Sequence, residues 1–326
     1  MKVLVVKLSS LGDVVHVMPA VQDMRRAVPG VQIDWVVEKN FAPLVRRCEG
    51  VGRVVECELR QWRKSPLSAQ TRRAWQAFKA ELQSQAYDAV IDLQGLTKSA
   101  LVAWLARLAP RGKRYALANQ TEGSSYEAPT RWVADVAVLV EPHIHAVTRS
   151  RELCARALGY ALDVLPSGGR LDYGLHLHAF PAQPRVVALV HGTSRSDKLW
   201  PIEYWIELGG RLIHDGFRLG LPHGNAEEQA RSEHLAQVFG AAAIVWPRMS
   251  LDALAVQLAQ TSGVIGVDSG LSHLAVALDL PHVQLYNFDT AWRTGPIGSA
   301  RQMAVHANPE PDVATVWQAW TQVLAA

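Results

Sequence analysis

The sequence has little cysteine. Cys48, Cys57 and Cys154 are odd in number and widely spaced along 326 residues. That excludes a disulfide framework and a zinc pattern, and a reducing cytosol fits best. No uninterrupted apolar run is long enough to cross a bilayer. The opening apolar stretch follows Lys2 as a signal peptide would. Lys7, Ser9, Ser10 and Asp13 interrupt it, however, and no small-residue cleavage site follows. Excess charge of one sign is also scarce: 33 basic against 30 acidic residues leave +3, too little to argue for nucleic acid. A Gly-x-Gly-x-x-Gly turn is missing, which disfavours a nicotinamide dinucleotide. An Asp-x-Asp metal motif near a strand end is missing too.

What is present is globular. Apolar residues make up 49% of the chain and charged residues 19%, and the length suits two domains better than one. Short β-branched runs alternate with helical stripes. Strands are predicted at 2–6, 31–37, 52–59 and 87–93. Helices are predicted after Asp13, where Val14, Val15, Met18, Val21 and Met24 share a face, and at 71–85 and 98–108. Between 165 and 184 the pattern stops at Pro166, Ser167, Gly168, Gly169, Pro181 and Pro184, a linker composition. Strands then return at 185–190, 217–221, 243–245, 263–267 and 282–286. Helices return at 202–214, 226–239 and 251–260, from Gly270, and at 313–324. The expected fold class is α/β, with two Rossmann-like parallel-sheet domains facing across a cleft. Ligands of such folds bind beyond the carboxyl ends of the strands, so the loops that follow strands matter most.

Five such loops carry candidate chemistry. After the first strand come Lys7-Leu8-Ser9-Ser10-Leu11-Gly12-Asp13. Asp13 either takes a proton from an attacking hydroxyl or, like Ser10, caps the next helix. His16, one turn on, reads as a packed helix residue. In His191-Gly192-Thr193-Ser194-Arg195-Ser196-Asp197-Lys198, hydroxyls and a lysine suit phosphate oxygens, and an ordinary polar loop would look the same. Asp268-Ser269-Gly270-Leu271-Ser272-His273 opens a helix whose N–H groups and dipole form an anion site, unless Asp268 or Ser269 simply caps it. Glu227 and Glu228 either bind a ribose or favour a helix dipole. Last, Arg60, Arg63, Lys64, Arg72, Arg73 and Lys79 are interleaved with Trp62, Trp75 and Phe78. That cluster grips an acidic ligand, rests on an anionic membrane, or is a solvated face. Lys98 adds a further cation at a strand end.

Four stretches in matching order, VVKLSSLGDVVHVMPAV, DLQGLTKSA, SDKLWP and VDSGLSHLAVAL, with the basic RQWRK element, resemble the bacterial lipopolysaccharide heptosyltransferases. Those are glycosyltransferase family 9, and the likeness is to the heptosyltransferase I group above all. The resemblance runs over nearly the whole chain. It implies a GT-B fold and an inverting transfer of L-glycero-D-manno-heptose from ADP-heptose to a Kdo residue of Kdo2-lipid A, in inner-core synthesis. Asp13 would be the general base. The donor would meet Thr193, Ser194 and Lys198 at its phosphates, Glu228 at the ribose and Met249 at the adenine. Asp268, Ser269, Gly270, Leu271 and His273 would surround its pyrophosphate and heptose. The acceptor would meet Ser10, Gly12, Arg60, Arg63, Lys64 and Lys98, with His145 and Arg149 as additions.

No cofactor or metal is implied, ADP-heptose being a co-substrate, and no nucleic acid. The implied place is the cytoplasm, peripheral on the anionic cytoplasmic face of the inner membrane. Residues 1–172 would bind acceptor and 173–310 donor, with the helix at 311–326 packing back on the first domain. The chain departs from the family at Ser269, where threonine is frequent, and at Asn287-Phe288-Asp289-Thr290, where a Gly-Pro-Thr type loop is frequent. Region 118–130 also matches poorly: Thr121-Glu122-Gly123 offers no arginine for an acceptor. The alternatives are heptosyltransferase II or another nucleotide-sugar transferase of this fold, a silent nucleotide-sugar binder, and a nucleotide-sugar epimerase.

Overall fold

The computed structural model describes residues 1–163, 170–175, 177 and 185–326. Pro166, Ser167, Gly168, Gly169, Pro181 and Pro184, read above as a linker, lie outside the described residues. Two compact units result: Met1–Val164 with Asp172–Gly174, and Leu165–Leu171 with Leu175–Ala326.

The first unit runs β1 (Lys2–Val6), α1 (Leu11–Val15), α2 (Met18–Ala27), β2 (Gln32–Glu38), α3 (Ala42–Val45), β3 (Val51–Cys57), α4 (Leu59–Trp62), α5 (Ala69–Gln83), β4 (Ala86–Asp92), α6 (Thr97–Leu105), β5 (Arg107–Leu117), α7 (Pro129–Val133), β6 (Val136–Val138) and α8 (Ala146–Leu158). Its six strands are ordered β3-β2-β1-β4-β5-β6, and every neighbouring pair is parallel. The chain therefore builds outward from β1 in one direction and then from β4 in the other. The loops after β1 and β4 part at that switch point, where open α/β sheets present their ligand crevice. Val3, Leu4, Val5 and Val6 are wholly buried, as a strand covered on both faces must be.

The second unit repeats the plan: β7 (Val186–Val190), α9 (Ile202–His214), β8 (Arg218–Leu221), α10 (Ala226–Phe239), β9 (Ala243–Val245), α11 (Leu251–Ala259), β10 (Gly263–Val267), α12 (Gly270–Ala277), β11 (His282–Tyr286), α13 (Ala291–Thr294), β12 (Gln302–His306) and α14 (Val313–Ala325). The order is β12-β11-β10-β7-β8-β9, again all parallel. Its switch point lies between β7 and β10.

The α/β reading with two parallel sheets stands. Eight elements escape the sequence pattern: α3, α4, β5, α7, β6, α8, α13 and β12. In β5 the reason is local. Pro110, Gly112 and four cations break the alternation, and the register shifts between Tyr87 and Ala89. A side chain at Gly112 would collide with the Tyr87 carbonyl, so only glycine allows that irregular pairing. The buried face of α14, Val313, Val316, Ala319, Trp320 and Val323, joins the core of the second sheet. There Trp200 also donates its indole N–H to the Pro311 carbonyl at 2.8 Å. Val316, Trp320 and Val323 recur at helical spacing, and the buried tryptophan adds a large apolar area to that core.

Candidate functional site

At the switch point of the first sheet, Lys7 leaves β1 buried, at 2% exposure. Its ammonium donates to the Leu93 carbonyl at the end of β4, 3.0 Å away, and lies 3.2 Å from Asp13 Oδ1. The other oxygen, Asp13 Oδ2, accepts from the Ser10 backbone N–H at 3.1 Å and the Ser10 hydroxyl at 2.8 Å. So Asp13 does take part in closing the N-terminus of α1, yet its side chain remains 38% exposed. Burial works to raise its carboxyl. The Lys7 ammonium, the Ser10 hydrogen bonds and His16 outweigh that and hold it well below the usual carboxylate range. Asp13 is an anion at neutral pH.

Gln94, in the loop after β4, clasps this loop from below: its Oε1 accepts from Leu8 and Ser9 N–H at 3.0 and 3.1 Å. Asp92 shapes the β4 loop, accepting from Gln94 and Gly95 N–H and from the Ser99 hydroxyl. Burial pushes its carboxyl up to about 6.

Three cations gather round the same loop. Arg60 and Lys98 each reach the Ser9 hydroxyl at 3.2 Å, from α4 and α6. Arg149, on α8, donates to the Thr121 hydroxyl at 2.6 Å and acts electrostatically on Lys7. The 118–130 region thus receives from α8 the guanidinium it lacks in sequence. His145 caps α8, accepting from Val147 N–H, with its ring 6.1 Å from that of His16. Gly12 is buried inside α1, and Ser10 is its exposed N-cap. Arg63 and Lys64 follow α4 with exposed side chains. The aromatics interleaved with them turn inward: Trp62, Trp75 and Phe78 pack on one another at 5.5–5.8 Å against the first core. Every charged side chain between Arg60 and Lys79 is cationic.

The second switch point brings together the 191–201 loop and the start of α12. Asp268 follows β10 and is nearly buried. It pairs with Lys198 through Oδ2 and with His273 Nε2 through Oδ1 at 3.3 Å. Burial again works to raise the Asp268 carboxyl, and His273 and Lys198 outweigh it, holding the group low. Gln284, from β11, lies 3.4 Å from His273 Nδ1 through its side-chain amide. Ser269 is the N-cap of α12 but makes no side-chain cap bond, and its hydroxyl is buried without a partner among the described residues. Neither the Asp268 nor the Ser269 side chain caps α12. Gly270, Leu271 and His273 fill the first turn, where backbone N–H groups favour anions.

Thr193 donates its hydroxyl to the Asp268 carbonyl at 3.3 Å, joining the two loops, and Ser194 is exposed beside it. Glu228, at the start of α10, accepts from Gly224 N–H at 2.6 Å. It leans on Gly192 so closely that a Cβ there would lie 2.6 Å from its carboxyl carbon. A side chain at 192 would push the Glu228 carboxylate away from this loop. Met249 is half-buried on the loop after β9. All ten donor candidates therefore follow the carboxyl ends of four adjacent strands, β9, β8, β7 and β10, or open the helices after them.

The atypical loop after β11 has a task of its own. Asn287 donates to the carbonyls of Asp197 and Leu199, at 3.2 and 3.1 Å, and so clamps the turn that carries Lys198. Sequence reasoning missed Lys7, Gln94 and Gln284. Lys7 and Gln94 had a usable signal, a long polar side chain just beyond a fully apolar strand. Gln284 had less, since it interrupts a strand interior.

Two parallel Rossmann-like sheets, one carrying an ionised carboxylate among cations and the other a lysine, a histidine and a helix N-terminus at its switch point, fit a nucleotide-sugar glycosyltransferase. The family model "Glycosyltransferase family 9 (heptosyltransferase)" matches residues 75–318. Lipopolysaccharide heptosyltransferase 1 of Escherichia coli (strain K12) is 40% identical over 291 residues, covering 88% of each chain. The solved E. coli heptosyltransferase WaaC with ADP superposes with a TM-score of 0.88 at 36% identity, covering 99% of this chain and 100% of that one. WaaC with ADP-2-deoxy-2-fluoro heptose gives 0.83 at 36%, covering 98% of each. The chain belongs to glycosyltransferase family 9, the heptosyltransferases, and is an enzyme.

Proposed function

We propose that this enzyme transfers L-glycero-D-manno-heptose, with inversion, from ADP-heptose to a Kdo residue of Kdo2-lipid A. The observation that carries the reading is Asp13: a carboxylate kept ionised beside Lys7 and Ser10, reachable from solvent, and ringed by Arg60, Lys98 and Arg149. Such a group accepts a hydroxyl proton, and its cationic surroundings suit an acceptor bearing phosphates and carboxylates.

The acceptor hydroxyl loses its proton to Asp13 while its oxygen attacks the anomeric carbon. The bond from that carbon to the β-phosphate oxygen breaks, and its electron pair leaves with ADP. Lys198 and the N–H groups at the start of α12 stabilise the charge that develops there. Thr193 and Ser194 bind phosphate oxygens, Glu228 the ribose and Met249 the adenine. His273 orients Asp268 beside the heptose. Arg63 and Lys64 extend the acceptor's cationic contact, and the exposed cations from Arg60 to Lys79 rest on anionic lipid at the cytoplasmic face of the inner membrane. No helix among the described residues is long and apolar enough to cross a membrane.

The test is ADP release from ADP-heptose with and without a Kdo-bearing lipid A acceptor. Release that requires the acceptor supports the transfer. Release without acceptor, or none at all, rejects it. Co-sedimentation with anionic vesicles at low salt tests the membrane contact, and absence of binding rejects that part.

A further inference from the structure

Three hydrogen-bond donors surround the Asp13 carboxylate, and their distribution is uneven. A carboxylate offers about four lone-pair sites. Ser10 fills both on Oδ2, through its N–H and its hydroxyl. Lys7 fills one on Oδ1. Among the described residues one site stays open, on Oδ1. Lys7 is itself immobilised: its side chain is 3% exposed, its Nζ is tied to the Leu93 carbonyl, and its own carbonyl accepts from the Trp35 indole at 3.0 Å.

We propose that Lys7 is the positioning residue for proton transfer: its ammonium fixes Asp13 through Oδ1 and leaves the second lone pair of that oxygen as the one that takes the acceptor's proton. The proposal rests on Asp13 being the base. The hydroxyl proton moves to Oδ1 as the new C–O bond forms. Lys7 keeps its own protons throughout and does not touch the substrate. Burial lowers the Lys7 ammonium while Asp13 and Asp92 raise it and Arg149 lowers it. Facing this pair are Asp92 from β4, Arg149 from α8 and His16 beyond α1. Arg60 from α4 and Lys98 from α6 reach the adjoining Ser9, and Glu38 at the end of β2 accepts from Arg60 N–H. Of these, Asp92 titrates in the same range as any displaced Asp13 and must be told apart from it.

The experiment compares wild-type enzyme with Lys7→Met, Lys7→Arg, Asp92→Asn and Asp13→Asn. It reads kcat and KM against pH, and the Asp13 carboxyl carbon resonance, assigned by its loss in Asp13→Asn. In Lys7→Met the Asp13 titration and the acid limb of kcat rise together by about one pH unit or more, because a carboxyl loses an adjacent cation. At neutral pH kcat falls about tenfold or more through lost orientation, and the KM for donor stays within about threefold. Lys7→Arg keeps the cation and holds the Asp13 titration below the ordinary carboxylate range. Asp92→Asn leaves the Asp13 resonance where it is.

An Asp13 titration and acid limb unmoved in Lys7→Met overturns the proposal. If Lys7→Met does not fold, Lys7→Arg decides, since a raised Asp13 titration in that variant overturns it as well. Wild-type turnover in Asp13→Asn is a different result: it removes Asp13 as the base, and the role of Lys7 goes with it.

Discussion

Each sheet carries an aspartate paired with a lysine at its switch point, and the two pairs are built in opposite senses. In the first, the lysine is hidden and the carboxylate presented: side-chain exposure is 3% for Lys7 and 38% for Asp13. In the second, the carboxylate is hidden and the lysine more open: 6% for Asp268 and 17% for Lys198. The same two residue types therefore offer opposite charges to a ligand. A presented carboxylate suits a proton acceptor, and a presented ammonium suits phosphate. Which member faces out follows from the backbone. Lys7 continues the line of β1 into the core, whereas Asp13 stands on the first turn of α1. Asp268 continues the line of β10 into the core, whereas Lys198 stands on a short turn outside it.

Replacing the presented carboxylate gives the largest effect on catalysis. Asp13→Ala is expected to lower turnover by about 10²–10⁴-fold, the usual worth of a general base, while calorimetry finds ADP affinity within about twofold of wild type. Unchanged turnover, or a loss of ADP affinity to match, would erase the contrast between the two pairs.

Replacing the hidden carboxylate acts on stability instead. Asp268→Asn breaks a buried ion pair and is expected to cost about 3–5 kcal/mol in urea unfolding at pH 7. The sign of its pH dependence is fixed. The folded carboxyl is held low, so its stabilisation is present above the unfolded value near 4 and is lost as pH falls through the folded one. Asp92 runs the other way, being raised to about 6. Its stabilisation is full below the unfolded value and is lost as pH rises through about 6. Asp268→Asn should therefore flatten the acid side of the stability curve and leave the slope between about pH 4 and 6 in place. An acid side as steep as wild type would mean that Asp268 is not the paired group.

Lys198→Met, which removes the presented cation, is expected to weaken ADP binding by about 10–100-fold, the equivalent of roughly 1.5–3 kcal/mol for a charge-assisted contact. Binding measured at two salt concentrations checks the origin, since the variant's affinity should fall less steeply with salt. ADP affinity equal to wild type would leave the helix N-terminus as the sole phosphate site.

Much of this was legible in the sequence. Most strands of both units announce themselves as β-branched runs, and both switch points fall at loops rich in Gly, Ser and Asp, so the parallel α/β class and the position of those loops follow from pattern. β5 was hidden because its burial is patchy and a glycine carries an irregular register. Periodicity gives the apolar face of the last helix but not the core that it joins. In the site, residue types were readable and pairings were not. Nothing in the spacing of Lys7 and Asp13, or of Lys198 and Asp268, says that each lysine meets an aspartate 6 or 70 residues away. Nor does it say which member of each pair faces outward. Arg149 makes the same point: it completes a loop 28 residues distant.

The gentlest change probes the same pair from its other side. Ser10→Ala removes the hydroxyl that donates to Asp13 Oδ2 at 2.8 Å but keeps the backbone N–H at 3.1 Å. One hydrogen bond to an ionised acceptor disappears, while the Lys7 ammonium on Oδ1 remains. The expected result is a small rise in the acid limb of kcat, less than that of Lys7→Met, and a loss of turnover of about two- to tenfold, in line with roughly 0.5–1.5 kcal/mol for one hydrogen bond. Oδ2 then regains a free lone pair, so a proton has two places to go and the restriction to Oδ1 is relaxed. If that restriction matters, Ser10→Thr, which restores the hydroxyl, returns turnover toward wild type. A Ser10→Ala acid limb that rises as far as that of Lys7→Met would make the hydroxyl, rather than the buried lysine, the group that keeps Asp13 ionised.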